Sequence, residues 1–418
     1  MNKPYPQPMT DAGWQALRSE IIESFTPGTP INEVELFAGR RETIQKLQDT
    51  VLEPGRHAVI YGERGVGKSS IANTFYPPLN HVTREIAAVR INSDATDTFD
   101  SLWRKVFRRF KRVGSDGAAV WADQTHDGKI TVDDVYTELS DFALNQCPII
   151  VLDEFDRIEN AECKNLMADV VKTLSDFTVN CTLVIVGVAK NVTGLIANHA
   201  SVSRALVQVE MERMSRGELE DIVTLRLRRM GMTIDETALW RITFFSAGLP
   251  FYTHSLGKHA ALLSVAAKRK KVSEADVFDS MKECIADVDH KITESFTRAT
   301  ERIYRKGNLF AQVLAACALT DVDSLGRFSA TSVEAPLTAI VGKDTKSAAF
   351  GFHLNELTRP ERGSVLEKTG ERRTYRFNFK EPLMQPYIVM RSLQDGILTQ
   401  ETLDRFAIKR QRDLLTSI

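Results

Sequence analysis

The length, composition and charge of this chain exclude several classes of protein. Its 418 residues, 43% hydrophobic and 26% charged, are ordinary for a globular protein of about three domains with sizeable cores. A formal net charge of −1 gives no overall attraction to nucleic acid, so such binding would depend on local patches. The five cysteines lie far apart with no Cys-x-x-Cys pair, which argues against a zinc site and indicates reduced, mostly buried thiols.

We expect no secretory signal in the N-terminal residues. Residues 1–8 contain three prolines and no apolar run, and no later stretch approaches the roughly 18 apolar residues of a membrane span. We therefore expect a cytoplasmic protein with no membrane association. A helix is predicted at 11–24 and a turn-rich connector at 26–30, so residues 1–30 form an N-terminal helix and its connector.

Residues 62–69 read Gly-Glu-Arg-Gly-Val-Gly-Lys-Ser, a complete G-x-x-x-x-G-K-[ST] motif. The apolar run 57–61 before it predicts a buried strand, and 69–75 after it predict a helix, which is the context of a phosphate-binding loop. The glycines let backbone N–H groups turn toward phosphate oxygens, while Lys68 reaches the β and γ phosphates and the Ser69 hydroxyl binds Mg²⁺. The alternative is an ordinary glycine turn. The predicted nucleotide-binding residues of this loop are Gly62, Glu63, Arg64, Gly65, Val66, Gly67, Lys68, Ser69 and Ser70.

Strands and helices alternate from residue 31 to residue 213. Besides the strand at 57–61, the pattern predicts strands at 86–91, 148–152, 182–188 and 206–211, and helices at 99–110 and 166–177. Strands separated by helices imply an α/β fold, in which a parallel sheet carries helices on both faces. We assign residues 31–213 to a P-loop ATPase core, with the loop at the carboxyl end of the first core strand.

A second chemical motif lies at 148–154, where an apolar run ends in Asp153 and Glu154. This hhhhDE pattern is the Walker B motif and puts both carboxylates at the exposed end of a buried strand. Asp153 is predicted to hold Mg²⁺, and Glu154 to orient and deprotonate the attacking water. The alternative is a strand that ends in a solvated acidic turn. The phosphate loop upstream favours the catalytic interpretation.

Two further polar residues are candidates for the same reaction. Asn191 follows the strand at 182–188, from which it could bind the γ-phosphate or the attacking water, or simply begin a turn. Arg204 precedes the last strand at the edge of the sheet, where it could stabilise transition-state charge in a neighbouring subunit. A surface arginine without a role is the alternative for Arg204.

From residue 214 onward the predicted elements are mostly helical. Helices at 215–230, 235–245, 251–268 and 273–286 are assigned to a helical lid over 214–292. Residues 293–390 carry predicted helices near 299–319, 330–340 and 346–357, followed by an alternating segment at 364–379 typical of a hairpin. Three helices and a hairpin suggest a winged-helix domain. Residues 391–418 are predicted to form a C-terminal helical tail.

The order of these features resembles the AAA+ and STAND ATPases, most closely the branch shared by origin-initiator ATPases and bacterial STAND regulators. The resemblance covers about residues 30 to 385. STAND proteins carry hhGRExE before the loop. Here Gly39 and Arg40 of that motif are kept but the acids are not at their usual places, and the resemblance implies that Arg40 lies close to the nucleotide. The lid motif G-x-P is matched at 248–250 and implies that Pro250 contacts the nucleotide. The helix after Pro250 does not begin with the sensor-2 arginine of many AAA+ motors, which favours STAND.

The first functional hypothesis is a switch controlled by ATP and Mg²⁺. By resemblance, it would self-assemble as a homo-oligomer and act on a separate effector protein, and bacterial relatives suggest defence against phage or mobile elements. Adenine is expected because no guanine-reading Asn-Lys-x-Asp motif is present. A non-hydrolysing scaffold is disfavoured because Lys68, Ser69, Asp153 and Glu154 are all present.

The second hypothesis is a DNA-binding initiator or transposition-regulator ATPase. The basic segment 104–112, predicted as helical, and the wing residues Lys368, Arg372 and Arg373 would then contact phosphates. The alternative for 104–112 is that its two phenylalanines pack inward while its cations form a solvated face. The helix at 346–357 carries few basic residues, which favours protein contact over a major groove.

Overall fold

The computed structural model describes residues 9–30, 39–81, 86–113, 119–143, 146–189, 192–196, 200–301, 309–323, 326–371 and 374–406. The chain forms two compact units, one made of residues 28–214 and the other of 1–27 and 215–418. The finer division into five segments stays a prediction. None of the described helices combines the length and apolar character needed to cross a membrane.

The strands are β1 (His57–Gly62), β2 (Ile86–Asn92), β3 (Lys111–Val113), β4 (Ala119–Trp121), β5 (Cys147–Asp153), β6 (Thr182–Val188), β7 (Leu206–Met211), β8 (Thr233–Ile234), β9 (Lys271–Val272), β10 (Leu366–Thr369) and β11 (Arg376–Phe379). The helices are α1 (Asp11–Ser24), α2 (Arg41–Leu52), α3 (Lys68–Thr74), α4 (Phe99–Phe107), α5 (Val132–Ala143), α6 (Ala161–Asp176), α7 (Ala200–Ala205), α8 (Arg216–Arg229), α9 (Glu236–Ser246), α10 (Pro250–Ala266), α11 (Glu274–Ala286), α12 (His290–Thr300), α13 (Phe310–Leu319), α14 (Glu334–Val341), α15 (Ser347–Glu356) and α16 (Met384–Gln394).

Unit 28–214 is built on the predicted parallel sheet. Its five strands lie in the order β2-β5-β6-β1-β7, and every neighbouring pair is parallel. Every residue of β1 and β5 is buried, as expected for interior strands that read as continuous apolar runs. Helices α2 to α5 contact these strands. The predicted α/β class is therefore confirmed, and both motif-bearing strands lie inside the sheet.

Two local predictions in this unit are wrong. Helix α4 ends at Phe107 rather than at residue 110, because the chain turns there to bury both Phe107 and Phe110 before β3 begins. The basic segment 104–112 is therefore not one helix. Helix α6 begins at Ala161 instead of residue 166, because the side chain of Asn160 caps the helix by accepting a hydrogen bond from the backbone N–H of Cys163.

The second unit is mainly helical. Helices α8 to α11 pack together as predicted, and α1 packs against α10. The side chain of Arg226 in α8 is buried and donates hydrogen bonds to the carbonyl oxygens of Ser24 and Ile222, which fixes the end of α1. The Phe25 ring lies against Gly257, leaving no room for a larger residue there.

The remainder of this unit contains helices and one hairpin. The predicted single helix at 299–319 is wrong, because α12 ends at Thr300 and α13 begins at Phe310; residues 302–308 lie outside the described ranges. Strands β10 and β11 pair antiparallel, and Gly370 has a φ of 90° where the predicted turn begins. All five cysteines are buried and none forms a disulfide.

Candidate nucleotide-binding site

The loop that joins β1 to α3 has a conformation that requires glycine. Gly62, Gly65 and Gly67 have φ angles of 146°, 86° and 94°. A Cβ atom on Gly62 would lie 2.3 Å from the carbonyl oxygen of Met211 in β7. Val66 is fully buried and anchors the middle of the loop. The motif therefore forms a tight backbone turn at the carboxyl end of an interior strand.

Lys68 lies inside this turn. Its side chain is largely buried, with 8% of the residue exposed, and its ammonium donates hydrogen bonds to the carbonyl oxygens of Gly62 at 3.1 Å and Glu63 at 2.6 Å. Burial lowers the pKa of Lys68 to about 8, while the negative charges of Asp156, Asp153 and Glu63 oppose that shift. The glycine loop and the acidic turn after β5 therefore act on one buried cation.

Asp153 is the last residue of β5, and its side chain is only 3% exposed. One carboxylate oxygen accepts the backbone N–H of Glu154 at 2.8 Å, and the other is 2.5 Å from a guanidinium nitrogen of Arg90 in β2. Arg90 also donates to the side-chain oxygen of Asn73 in α3 at 2.6 Å. Sequence reasoning missed Arg90, although one cation inside the apolar strand 86–91 was a usable signal.

Glu154 and Asp156 follow Asp153 in a tight turn. Glu154 has a φ of 54°, is about half exposed, and accepts a hydrogen bond from Arg157 at 2.7 Å. Asp156 accepts the backbone N–H of Val188 at 2.8 Å, which ties this turn to the end of β6. Asp156 was also missed, although it is the last acid of the run Asp-Glu-Phe-Asp and acts electrostatically on Lys68.

These residues fit a magnesium nucleotide. The loop has no room for a side chain at Gly62, its lysine is buried beside three acids, and Asp153 is a buried oxygen donor of the kind Mg²⁺ prefers. The glycine turn presents backbone rather than side chains to a ligand. The same groups would serve phosphate transfer through charge and position rather than through a covalent intermediate.

A family model described as novel STAND NTPase 1 matches residues 29–284. The chain belongs to this family. The predicted membership of the AAA+/STAND class and the predicted nucleoside-triphosphatase activity are therefore confirmed. No curated protein sequence matches the chain.

A solved structure shows the same fold as this STAND NTPase. The ORC2 protein of Aeropyrum pernix, in its ADPNP–ADP complexes, is 13% identical with a TM-score of 0.52, covering 93% of this chain and 98% of that chain. Two others align at lower TM-scores. The ORC1 protein of Aeropyrum pernix in complex with DNA is 15% identical with a TM-score of 0.46, covering 91% and 97%. The RuvB Holliday junction branch migration motor of Thermotoga maritima is 16% identical with a TM-score of 0.43, covering 80% and 90%.

Other predicted residues of this STAND NTPase lie beside the loop. Glu63 accepts a hydrogen bond from Arg213 at 2.8 Å, so the loop is tied to the segment after β7. Arg40 precedes α2 with a φ of 58° and donates to the carbonyl oxygen of Glu212 in that segment. Ser69 and Ser70 lie in the first turn of α3, and Arg64 is exposed in the loop.

Three candidates remain, of which one is exposed, one falls outside the described residues and one belongs to the other compact unit. Arg204 is exposed in α7, and its carbonyl oxygen accepts a hydrogen bond from Arg56. Asn191 falls outside the described residues. Pro250 is the first residue of α10 in the other compact unit. The nucleotide contacts of Arg40 and Pro250, and the roles of Asn191 and Arg204, stay predictions.

Three of the four cations whose side chains are described in the basic segment 104–112 pair with carboxylates, and the fourth, Arg109, is exposed. Phe107 and Phe110 are buried, which confirms the inward-packing alternative. Its paired cations contact carboxylates as follows: Arg104 with Asp100 at 3.1 Å, Lys105 with Asp94 and Asp97 at 2.7 Å each, and Arg108 with Asp123 at 3.0 Å. These pairs leave less positive charge for nucleic-acid phosphates, and the DNA-binding hypothesis loses support.

Proposed function

We propose that this STAND NTPase is a molecular switch that binds and hydrolyses ATP with Mg²⁺, and whose nucleotide state controls self-assembly and a partner effector. The observation that carries the proposal is the buried Lys68 ammonium, enclosed by glycine-loop carbonyls and under the charge of Asp153 and Asp156. A triphosphate supplies stronger acceptors for this cation than carbonyl oxygens do. The absence of a guanine-reading motif supports adenine as the base.

Each residue then has a defined task in hydrolysis. Lys68 binds the β and γ phosphates, while Ser69 and Asp153 would hold the magnesium ion, which stabilises negative charge on phosphate oxygens. Glu154 orients the attacking water and takes its proton, for which its carboxylate must exchange Arg157 for water. Asn191 would assist at the γ-phosphate and Arg204 in a neighbouring subunit, while Arg40 and Pro250 would contact the nucleotide.

A switch also needs two conformations that bind nucleotide with different affinity, because equal affinity would shift no equilibrium. The helices α8 to α11 are proposed as the lid that responds to the nucleotide. Helices α13 to α15 with the β10–β11 hairpin are proposed as a winged-helix domain that transmits the response to a protein partner. The role in defence against phage or mobile elements rests on the family resemblance alone.

Two substitutions test the proposal. Lys68→Ala should abolish binding of a fluorescent ATP analogue, because the main phosphate-binding charge is removed. Glu154→Gln should keep binding but slow hydrolysis by roughly 10²- to 10⁴-fold, the usual contribution of a general base. Glu162→Gln, at an exposed position in α6 of the same unit, is the matched control and should hydrolyse at the parent rate.

The outcomes separate the parts of the proposal. Hydrolysis at the parent rate by Glu154→Gln would exclude Glu154 as the base. Unchanged ATP binding by Lys68→Ala would exclude the glycine loop as the site. The particle mass measured by light scattering with and without ATP tests self-assembly, and an unchanged mass would remove that part of the mechanism.

A further inference from the structure

Arg90 forms an ion pair with the buried Asp153 that none of the proposed catalytic steps uses. Its guanidinium is 2.5 Å from Asp153, whose side chain is 3% exposed, while the Arg90 side chain is 27% exposed. A buried carboxylate without a counter-ion destabilises the folded state, and removal of one partner of such an ion pair leaves the other charge uncompensated. Arg90 is therefore the cation that contacts Asp153 directly, while Lys68 acts on the same carboxylate through its charge.

The second contact of Arg90 shows what this cation connects. Its other terminal nitrogen binds Asn73, which lies four residues after Ser69 in α3. Residues four apart lie on the same face of a helix. Arg90 thus links Asp153 to the helix face that carries Ser69. A magnesium ion held by Ser69 and Asp153 would link the same helix face to the same carboxylate.

We propose that Arg90 is a resident cation that competes with Mg²⁺ for Asp153. This inference rests on the proposed function. A guanidinium in contact with Asp153 occupies an oxygen lone pair that a metal needs, and two cations on one carboxylate repel each other. Magnesium nucleotide must therefore displace Arg90 from Asp153 as it binds. The ion pair sets the magnesium requirement of the switch and keeps α3 tied to β5 and β2 until that exchange occurs.

Arg90→Met tests this role, because it removes the charge and keeps an apolar stem of similar length. The measurement is binding of a non-hydrolysable ATP analogue across a magnesium titration. The half-saturating Mg²⁺ concentration should fall about tenfold, since a competing charge-assisted contact is gone. Arg104→Met is the matched control, because Arg104 is 26% exposed and pairs with Asp100 in the same unit; its half-saturating Mg²⁺ concentration should equal that of the parent.

A second measurement needs no nucleotide. Magnesium chloride alone should raise the melting temperature of Arg90→Met and leave that of the parent protein unchanged, because only the variant offers Asp153 to the metal. Should Arg90→Met fail to fold, Arg90→Lys provides the test. It keeps the charge but loses the planar fork, and its half-saturating Mg²⁺ concentration should fall about threefold.

Equal half-saturating Mg²⁺ concentrations for the parent and both Arg90 variants would overturn the inference, and so would a higher value in Arg90→Met. The proposed function fails separately, if the parent protein binds no analogue at any magnesium concentration. In that case the melting temperature with magnesium alone still decides the inference. Stabilisation of Arg90→Met but not of the parent would support it, and equal responses would refute it.

Discussion

Gly62→Ala should destabilise the nucleotide-binding unit strongly. The added Cβ atom would lie 2.3 Å from the carbonyl oxygen and 3.2 Å from the carbonyl carbon of Met211, which are both backbone atoms. Strand β7 would have to retreat by about 1 Å to reach ordinary van der Waals separation. Alanine would also have to keep a φ of 146°, which costs about 1–3 kcal/mol, and overpacking adds about 1–3 kcal/mol. The expected loss is therefore about 2–6 kcal/mol of unfolding free energy.

Urea unfolding, followed by circular dichroism, measures this loss. Gly128→Ala is the control, because a Cβ atom on Gly128 of the same unit meets nothing within 4 Å. Its unfolding free energy should stay within about 0.5 kcal/mol of the parent value. The argument from the contact between β1 and β7 would be refuted if Gly62→Ala were as stable as Gly128→Ala.

Three further predictions follow from the structure. Burial lowers the pKa of His57 from 6.5 to about 3, so below pH 6.5 the unfolded state takes up a proton that the folded state does not. Between pH 7 and pH 5 the parent should therefore lose about 2 kcal/mol more unfolding free energy than His57→Gln, and equal losses would contradict this. Gly363→Ala should lower the free energy of unfolding by about 1–3 kcal/mol more than Gly342→Ala, as measured by urea unfolding. Both glycines have φ near 74°, but only at Gly363 would the new Cβ atom lie 2.5 Å from a backbone oxygen, that of Ser295. Equal losses would show that the structure relieves this collision. Arg226→Met should leave the carbonyl oxygen of Ser24 without its buried donor and lower the free energy of unfolding by about 1–3 kcal/mol. It should also speed tryptic cleavage within α1, and an unchanged cleavage rate would count against that contact.

The parts of this protein that sequence could predict are those encoded in short contiguous runs. The glycine loop and the acidic pair each lie within eight residues, and their chemistry needs that local order. The parallel sheet was predictable because interior strands such as β5 are buried on both faces and must be apolar throughout.

The parts that could not be predicted depend on contacts between distant segments. The pairing of Arg90 with Asp153 joins two strands that are neighbours only once the sheet is formed. The packing of α1 against α10 likewise joins the two sequence segments of one unit, 1–27 and 215–418, which are separated in the chain by the whole nucleotide-binding unit. The early end of α4 follows from the burial of Phe110, which helical periodicity alone does not reveal.

The strand order has a consequence for biosynthesis. Strand β1, made early, lies between β6 and β7, which are the last strands of the sheet to be made. During synthesis on the ribosome, β1 and the phosphate-binding loop therefore emerge well before either strand that flanks β1 in the sheet. Until residues 206–211 leave the exit tunnel, one hydrogen-bonding edge of β1 stays open to chaperones or to unwanted pairing. Nascent chains halted before residues 206–211 emerge should therefore bind chaperones more readily than chains halted after these residues have emerged.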